Sequence, residues 1–439
     1  MPNELAQGTR RVGQLIDGDP ETPHIDVVLR HESNGIFVDV PWNPTSSAYG
    51  EWFGAEDFTI GKSETRDLPK VLNFRDSNGS VFLLGCQQAG YTTNYSSGLG
   101  KIHVEYAVLG PRDMAYEFVH RLRWEVSGLR RWMGRSSITT RRFTDNRHRT
   151  EVVIEPAERF EIPGRNDIAF IPTTWWRHAS EDVQEAHDLL WVETITEEPS
   201  RWNSHAAVPR MLRDLLAVSH WSEETYELRS ASRDEDVIEN MSTNEVLGRN
   251  WRKVVAGSSE DNSDPRPYEF NPRELIRFED IGLEGLLRWF DLSEKYGRVI
   301  DPIVSQTIVR EAHPLARLSH AGPAVEALGY FLHLEDGMEE GKAARVPLRA
   351  RVERIAAELD GVLPFDVNAW AQAFPDVYNG VKHANRAEQK HVDVMNSWGQ
   401  SVMAVRSWIA LRLGVTREDL KQRLAQDRQP YEFVEVEQA

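Results

Sequence analysis

The stretch "FPDVYNGVKHANRAEQKH", Phe374 to His391, gathers residue types that can move a proton and hold a phosphate. Residues three and four apart share a helix face, so helical spacing predicts that Asn379 neighbours Lys382 and His383, and that His383 neighbours Arg386. Val377 and Val381 then fall on the opposite side and pack inward. Imidazole changes charge near neutral pH and serves as a general acid or base. A cation beside it stabilises the charge that develops on a phosphate in transfer. With an amide, these groups form the minimal set for metal-independent RNA cleavage, in which a ribose 2′-hydroxyl attacks the neighbouring phosphorus. A solvated helix face presents the same pattern, so the residues alone leave both readings open.

The elements that must position this stretch change character along the chain. "HIDVVLR", "GIFVDVPW", "KVLNFRDSNGSVFLLGC" and "KIHVEYAVLG" combine β-branched and aromatic residues with turn punctuation, and "EVVIEP", "ERFEIPG" and "LLWVETI" add further strands. "RDSNGS" predicts a hairpin, with Asn-Gly at positive φ in the turn. An antiparallel sandwich or barrel is expected. From about Ser204 the pattern turns helical in "PRMLRDLLAVSHW" and, after a polar stretch, in "NEVLGRNWRKVVAG". "SSEDNSDPRP", Ser258 to Pro267, reads as a linker. Beyond it, "LEGLLRWFDLSEKYG", "AGPAVEALGYFLHL" and "VPLRARVERIAAELDGV" carry apolar residues at spacings of three and four. The last strong helix aligns Val392, Met395, Val402, Val405 and Ile409, with Trp398 and Trp408 beside them and Gly414 as its C-cap. The fold class expected is α+β, with a strand-rich antiparallel unit over residues 1–257 and an all-α unit over 268–439.

Composition narrows the function. A formal net charge of -18 repels nucleic acid at long range, so any contact with RNA must come from a local basic patch. Such a patch exists in "HRLRWEVSGLRRWMGRSSITTRRFTDNRHR", His120 to Arg149. Arg130, Arg131, Arg141 and Arg142 are its candidate phosphate contacts, and a solvated face beside a Trp-anchored helix is the competing reading. The one cysteine, Cys86 in "VFLLGC", makes no intramolecular disulfide or thiolate zinc site and reads as a buried thiol. The N-terminus lacks the apolar core of a signal peptide and no apolar run approaches membrane-spanning length, so a cytoplasmic protein without membrane partners is expected.

Several chemistries fail on spacing. "YSSGLGKIHVEY" has Tyr95 where a phosphate-binding loop needs its first glycine, and His178 and His187 are too far apart for a zinc helix. No Gly-x-Ser-x-Gly elbow occurs. No metal or cofactor is expected.

The C-terminal half resembles the HEPN superfamily of all-helical domains, of the type found in ApeA-like anti-phage proteins. "YNGVKH", Tyr378 to His383, lies in the frame of that family's Arg-Asn-x-x-x-His signature, and Glu326 in "PAVEALGYF" lies where such domains place an acidic residue on the preceding long helix. The N-terminal half is similar to the ApeA N-terminal domain in its strand-rich start, in "VLNFRDSNGSVFLLGC" and in "RLRWEVSGLRRWMG". The resemblance implies anti-phage defence: a sensing unit that responds to a phage-derived trigger, and a helical unit that cuts RNA and pairs as a homodimer. It assigns catalysis to His383 and Asn379, with Glu326 nearby. Tyr378 departs from the signature, since it stands in the arginine position. Either Lys382 or Arg386 supplies the charge, or the domain binds, senses or regulates without catalysing.

Overall fold

The computed structural model describes residues 3–19, 22, 24–43, 49–53, 67–94, 97–111, 114–143, 149–155, 157–180, 183–257, 273–309 and 312–434. The expected linker at Ser258–Pro267 lies outside the described residues, as do Tyr95 and residues 144–148 of the basic segment.

Fourteen strands form one antiparallel sheet. From one edge it runs Phe160–Ile162, Arg165–Ser180, Val183–Arg201, Phe118–Val126, Tyr226–Ser232, Arg252–Ala256 and Tyr106–Leu109. It continues through Gly79–Leu84, Val71–Asp76, Arg10–Ile16, Ile25–Glu32, Gly35–Trp42 and Ser97–Val104 to Gln87–Asn94 at the other edge. Among the described residues the order ends at two edge strands and does not close into the barrel that the strand pattern allowed.

The "RDSNGS" hairpin is present, with Asp76 paired to Gly79 and Ser77 and Asn78 at the corner. Gly79 takes the positive φ, 134°, while Asn78 does not. The Asp76 carboxylate explains this: it accepts from Asn78 N at 2.8 Å and Gly79 N at 3.1 Å, closing the turn with a side chain.

"NEVLGRNWRKVVAG" is not helical. It forms the strands Val246–Arg249 and Arg252–Ala256, and the second joins the sheet's two halves by pairing with Tyr226–Ser232 and Tyr106–Leu109. Apolar residues in "VLGRNWRKVV" fit either period; Val254, inserted between two waiting strands, is buried there. The strand-rich region therefore extends past Ser204 to residue 256, interrupted by the helix Ala207–His220.

Two cores result. One lies within residues 5–109 and includes Cys86, whose thiol burial pushes up to about 12, so it is an inert structural thiol. The other is shared by both halves of the chain, from Phe82 to Val254 and from Leu275 to Leu424. Trp132 donates to Ile276 O at 2.7 Å and Trp289 to Met211 O at 2.7 Å across the expected boundary.

The helices Phe278–Lys295, Gly297–Val304, Pro314–Glu335, Leu348–Leu359, Val367–Lys382, His391–Leu413 and Arg417–Leu424 follow. His391–Leu413 ends at Gly414, φ 110°, as its sequence predicts. It is buried on all sides from Ser401 to Ala410, so Trp398 and Trp408 are core residues and present nothing to a second chain. Among the described residues no helix is long and apolar enough to cross a membrane.

Candidate functional site

The helix Val367–Lys382 begins at Asp366, whose carboxylate accepts from Asn368 N and Ala369 N. Trp370, Phe374, Val377 and Tyr378 form its buried stripe. The helix stops at Lys382, one turn short of the expected end. His383 is its C-cap, with extended backbone at φ -124°, and donates from N to Asn379 O at 3.0 Å. Arg386 is therefore not on the helix face; a turn, Arg386 N to His383 O at 3.0 Å, joins it to His383. Gly380, in the last turn, makes room for the chain that follows. A Cβ there would collide with the side chain of Gln389, so the missing side chain lets the following loop fold back over the last turn.

Tyr378 faces inward. It is 4% exposed, stacks on Phe374 at 5.5 Å between centroids, and packs against Gly322 of the Pro314–Glu335 helix. A Cβ at Gly322 would strike the Tyr378 ring, so we expect Gly322→Ala to lower stability by about 1–3 kcal/mol through overpacking. A denaturant titration measures this, and an unchanged midpoint would show that the two helices part without cost.

Glu326, on the same long helix as Gly322, links this region to its neighbours. Its carboxylate lies 3.6 Å from Lys382 Nζ and 3.7 Å from Arg351 Nη1 on the Leu348–Leu359 helix. Lys382 Nζ also sits 5.4 Å from the Tyr378 ring centroid. Three helices thus bring Glu326, Lys382, Arg351 and Tyr378 together. Arg351 escapes sequence reading because it is distant from the signature and sits on an ordinary amphipathic helix. Its Nη2 also donates to Ala343 O and Ala344 O, which fixes the guanidinium in place.

Burial, and then the Glu326 carboxylate, push the Tyr378 phenol up to about 12 from its usual 10. The raised folded value favours the protonated phenol. Its contribution to stability is complete below pH 10, where both states keep the proton, and is lost as pH rises towards 12. Wild type should therefore lose stability between those limits relative to Tyr378→Phe, as unfolding midpoints compared across pH would reveal. Equal slopes would contradict a shielded phenol.

The His383 and Arg386 side chains are exposed and make no hydrogen bond or ion pair among the described residues; half-buried Asn379 has a free side-chain amide. The structure thus clusters Tyr378, Lys382 and Glu326, and leaves Asn379, His383 and Arg386 at the open helix end beside them.

The basic segment divides. Arg130, on the one-turn helix Leu129–Trp132, is held by Asp188 at 3.0 Å, and Arg131 on the same turn is engaged as well. Asp188 also accepts from Ser137 N at 3.0 Å, pinning the start of the hairpin Ile138–Arg142/Thr150–Ile154. Arg141 and Arg142 on that hairpin are exposed and unpaired among the described residues. Trp132, 4% exposed, anchors the turn.

A large antiparallel sheet sharing a core with a helical bundle defines a two-part protein, β then α. The chain belongs to the ApeA N-terminal domain 1 family, whose pattern matches residues 24–289. That match covers most of the sheet and the start of the helices, and supports a role in anti-phage defence; it ends before the Val367–Lys382 helix. No curated protein matches the chain. Among solved structures, "MrkH, A novel c-di-GMP dependence transcription regulatory factor" is similar at 7% identity over 49% of this chain and 96% of that one, with a TM-score of 0.12, too slight a likeness to bear on fold or function.

Proposed function

We propose that this is an anti-phage defence protein whose C-terminal helices carry a metal-independent endoribonuclease site of the HEPN type, governed by the strand-rich half in response to a phage-derived trigger. The observation that carries this reading is the Glu326–Lys382 ion pair at 3.6 Å beside an exposed His383 that has no partner among the described residues. In the proposed step the ribose 2′-hydroxyl loses its proton to an imidazole as its oxygen bonds to phosphorus, and the 5′-oxygen leaves with a proton. Lys382, held at the helix end by Glu326, stabilises the extra negative charge on the phosphoryl oxygens. Arg386, exposed on the turn that follows the helix, reaches substrate from there. One chain provides one His383, so a homodimer that brings two helix ends together would provide base and acid. RNA is the substrate class, and Arg141 and Arg142, unpaired among the described residues, are cations of the basic segment that would guide it.

The test is cleavage of RNA by purified protein with a chelator present. Products ending in a cyclic phosphate and a 5′-hydroxyl are expected, and Lys382→Ala should slow the reaction by about 10²–10³. Cleavage that a chelator abolishes would overturn the mechanism.

One observation favours a second reading, a binding or regulatory helical domain without catalysis. The position of the signature arginine is filled by Tyr378, which is buried against Gly322, so its side chain cannot reach a phosphate. Absence of RNA cleavage in the presence of phage lysate, with RNA binding retained, would establish this reading.

A further inference from the structure

The hairpin of Arg165–Ser180 and Val183–Arg201 outgrows the sheet. Phe160–Ile162 flanks it no farther than Phe170, and Phe118–Val126 no farther than Trp191. From Pro172 and Leu190 outward the two strands pair only with each other among the described residues, as a two-stranded arm. Trp175 and Trp176 stand side by side on it, 47% and 52% exposed. Successive strand residues point to opposite faces, so the two rings lie on opposite sides of the arm. Trp175 shares its side with its cross-strand partner His187, whose ring it meets at 5.0 Å between centroids, and with Glu185, which lies 3.6 Å from that imidazole. Trp176 has no ring contact or hydrogen bond among the described residues.

The side of Trp176 is different. It carries the pair Thr174 and Asp188, next along that face towards the sheet. Asp188 accepts from Ser137 N at 3.0 Å and from the Ser136 hydroxyl, so the hairpin Ile138–Arg142/Thr150–Ile154 leaves from the Trp176 side of the arm. This second hairpin is exposed on both faces from Thr139 to Arg142 and from Arg149 to Val152. Glu151 stands opposite Arg141 and Thr150 opposite Arg142, and neither arginine forms an ion pair among the described residues. Arg149 lies over the Phe143 ring, 4.2 Å from its centroid, which leaves its charge unneutralised. Over these residues Arg141, Arg142 and Arg149 meet one carboxylate, in a chain whose net charge is -18. A strand rise of about 3.3 Å per residue keeps Arg141 within roughly 15 Å of the anchor at Ser137.

An exposed ring and unneutralised cations on one side of the arm match a ligand that repeats a flat base and an anion along a flexible strand. We propose that the two hairpins form a platform for single-stranded RNA, on which a base stacks on Trp176 and neighbouring phosphates meet Arg141, Arg142 and Arg149. In a duplex the bases are stacked on one another and cannot reach the ring. Trp175, on the far side beside Glu185, takes no part. The platform rests on the reading of RNA as the substrate class, and adds to it that the strand held by the strand-rich half is unpaired.

Fluorescence anisotropy on the full chain tests this with a labelled single-stranded RNA of about twelve nucleotides. The probe is 2′-O-methylated, so it lacks the attacking hydroxyl and cannot be cut. It should bind, and Trp176→Ala should weaken binding about tenfold without changing its salt dependence. Trp176→Phe keeps a ring and should stay within about twofold of the natural chain. Trp175→Ala should change nothing. Arg141→Gln with Arg142→Gln should weaken binding at low salt and make the slope of log affinity against log salt shallower by about 1. A duplex of the same sequence should be indifferent to Trp176→Ala. The altered side chains are exposed, and unchanged melting checks that the variants fold; Trp176→Thr replaces Trp176→Ala if melting falls. No binding of the probe at about 0.1 mM overturns the proposal. So do equal losses in Trp175→Ala and Trp176→Ala. A Trp176→Ala variant that changes the sedimentation of the RNA-free protein and leaves RNA binding intact also overturns it, and marks the arm as a protein-docking element. Cleavage of unmodified RNA by a protein whose probe binding ignores Trp176→Ala would remove the platform and keep the nuclease. Probe binding through Trp176 without cleavage would keep the platform and remove the nuclease.

Discussion

Arg406→Ala should lower the unfolding free energy by about 3–5 kcal/mol, the cost of leaving a partner charge buried alone. Arg406 is wholly buried within the helix His391–Leu413 and meets Asp427, 2% exposed, through two bonds of 2.7 and 3.0 Å. It also donates to Val218 O at 2.8 Å and Ser219 O at 3.4 Å, and its guanidinium lies 4.9 Å from the Trp221 ring centroid. Those carbonyls belong to the last turn of the Ala207–His220 helix, where intrahelical donors run out and Trp221 turns the chain at φ 49°. One cation therefore caps a helix of the strand-rich half from inside the helical half. The check is the denaturant midpoint of Arg406→Ala against the double variant Arg406→Met with Asp427→Leu. The double variant should recover part of the loss by removing the stranded carboxylate, though not the two carbonyl bonds. A single variant within about 0.5 kcal/mol of wild type would mean that water reaches the site and the pair contributes little.

RNA cleavage should fall by about 10²–10⁴ in His383→Ala, the range for losing a general acid or base, while stability and assembly stay unchanged. The imidazole is exposed at the end of the helix Val367–Lys382 and bonds to nothing among the described residues, so its loss removes chemistry and not packing. Arg386→Ala is the useful companion, because the turn places it near His383 without a helix to fix it. Equal losses in both would assign Arg386 to the transition state; a loss only in His383→Ala would leave the charge to Lys382. Cleavage that survives His383→Ala would move the reaction elsewhere. The reverse change, Tyr378→Arg, is a poor route to a restored signature. It places a cation in a core position against Gly322 and should destabilise the bundle unless Glu326 reaches it.

The sequence by itself determined the α+β order, most strands of the sheet, the hairpin at "RDSNGS", the apolar faces of the bundle and the Gly414 cap. These depend on side-chain periodicity and on local turn chemistry, which short stretches carry in full. It also singled out Lys382 and Glu326, which the fold then joined. Only the tertiary structure decided the rest. "NEVLGRNWRKVVAG" became strands because neighbouring strands had open edges to fill, a condition that no local pattern records. The helix ended at Lys382, with His383 extended and Gln389 packed back on Gly380, a contact between residues whose closeness the spacing does not record. Trp398 and Trp408 went inside because their helix is surrounded, and a stripe of apolar residues does not say how many sides will be covered. Arg351 and Arg406 gained their roles from partners far along the chain, where ion pairs and capping bonds depend on distance in space rather than spacing in sequence.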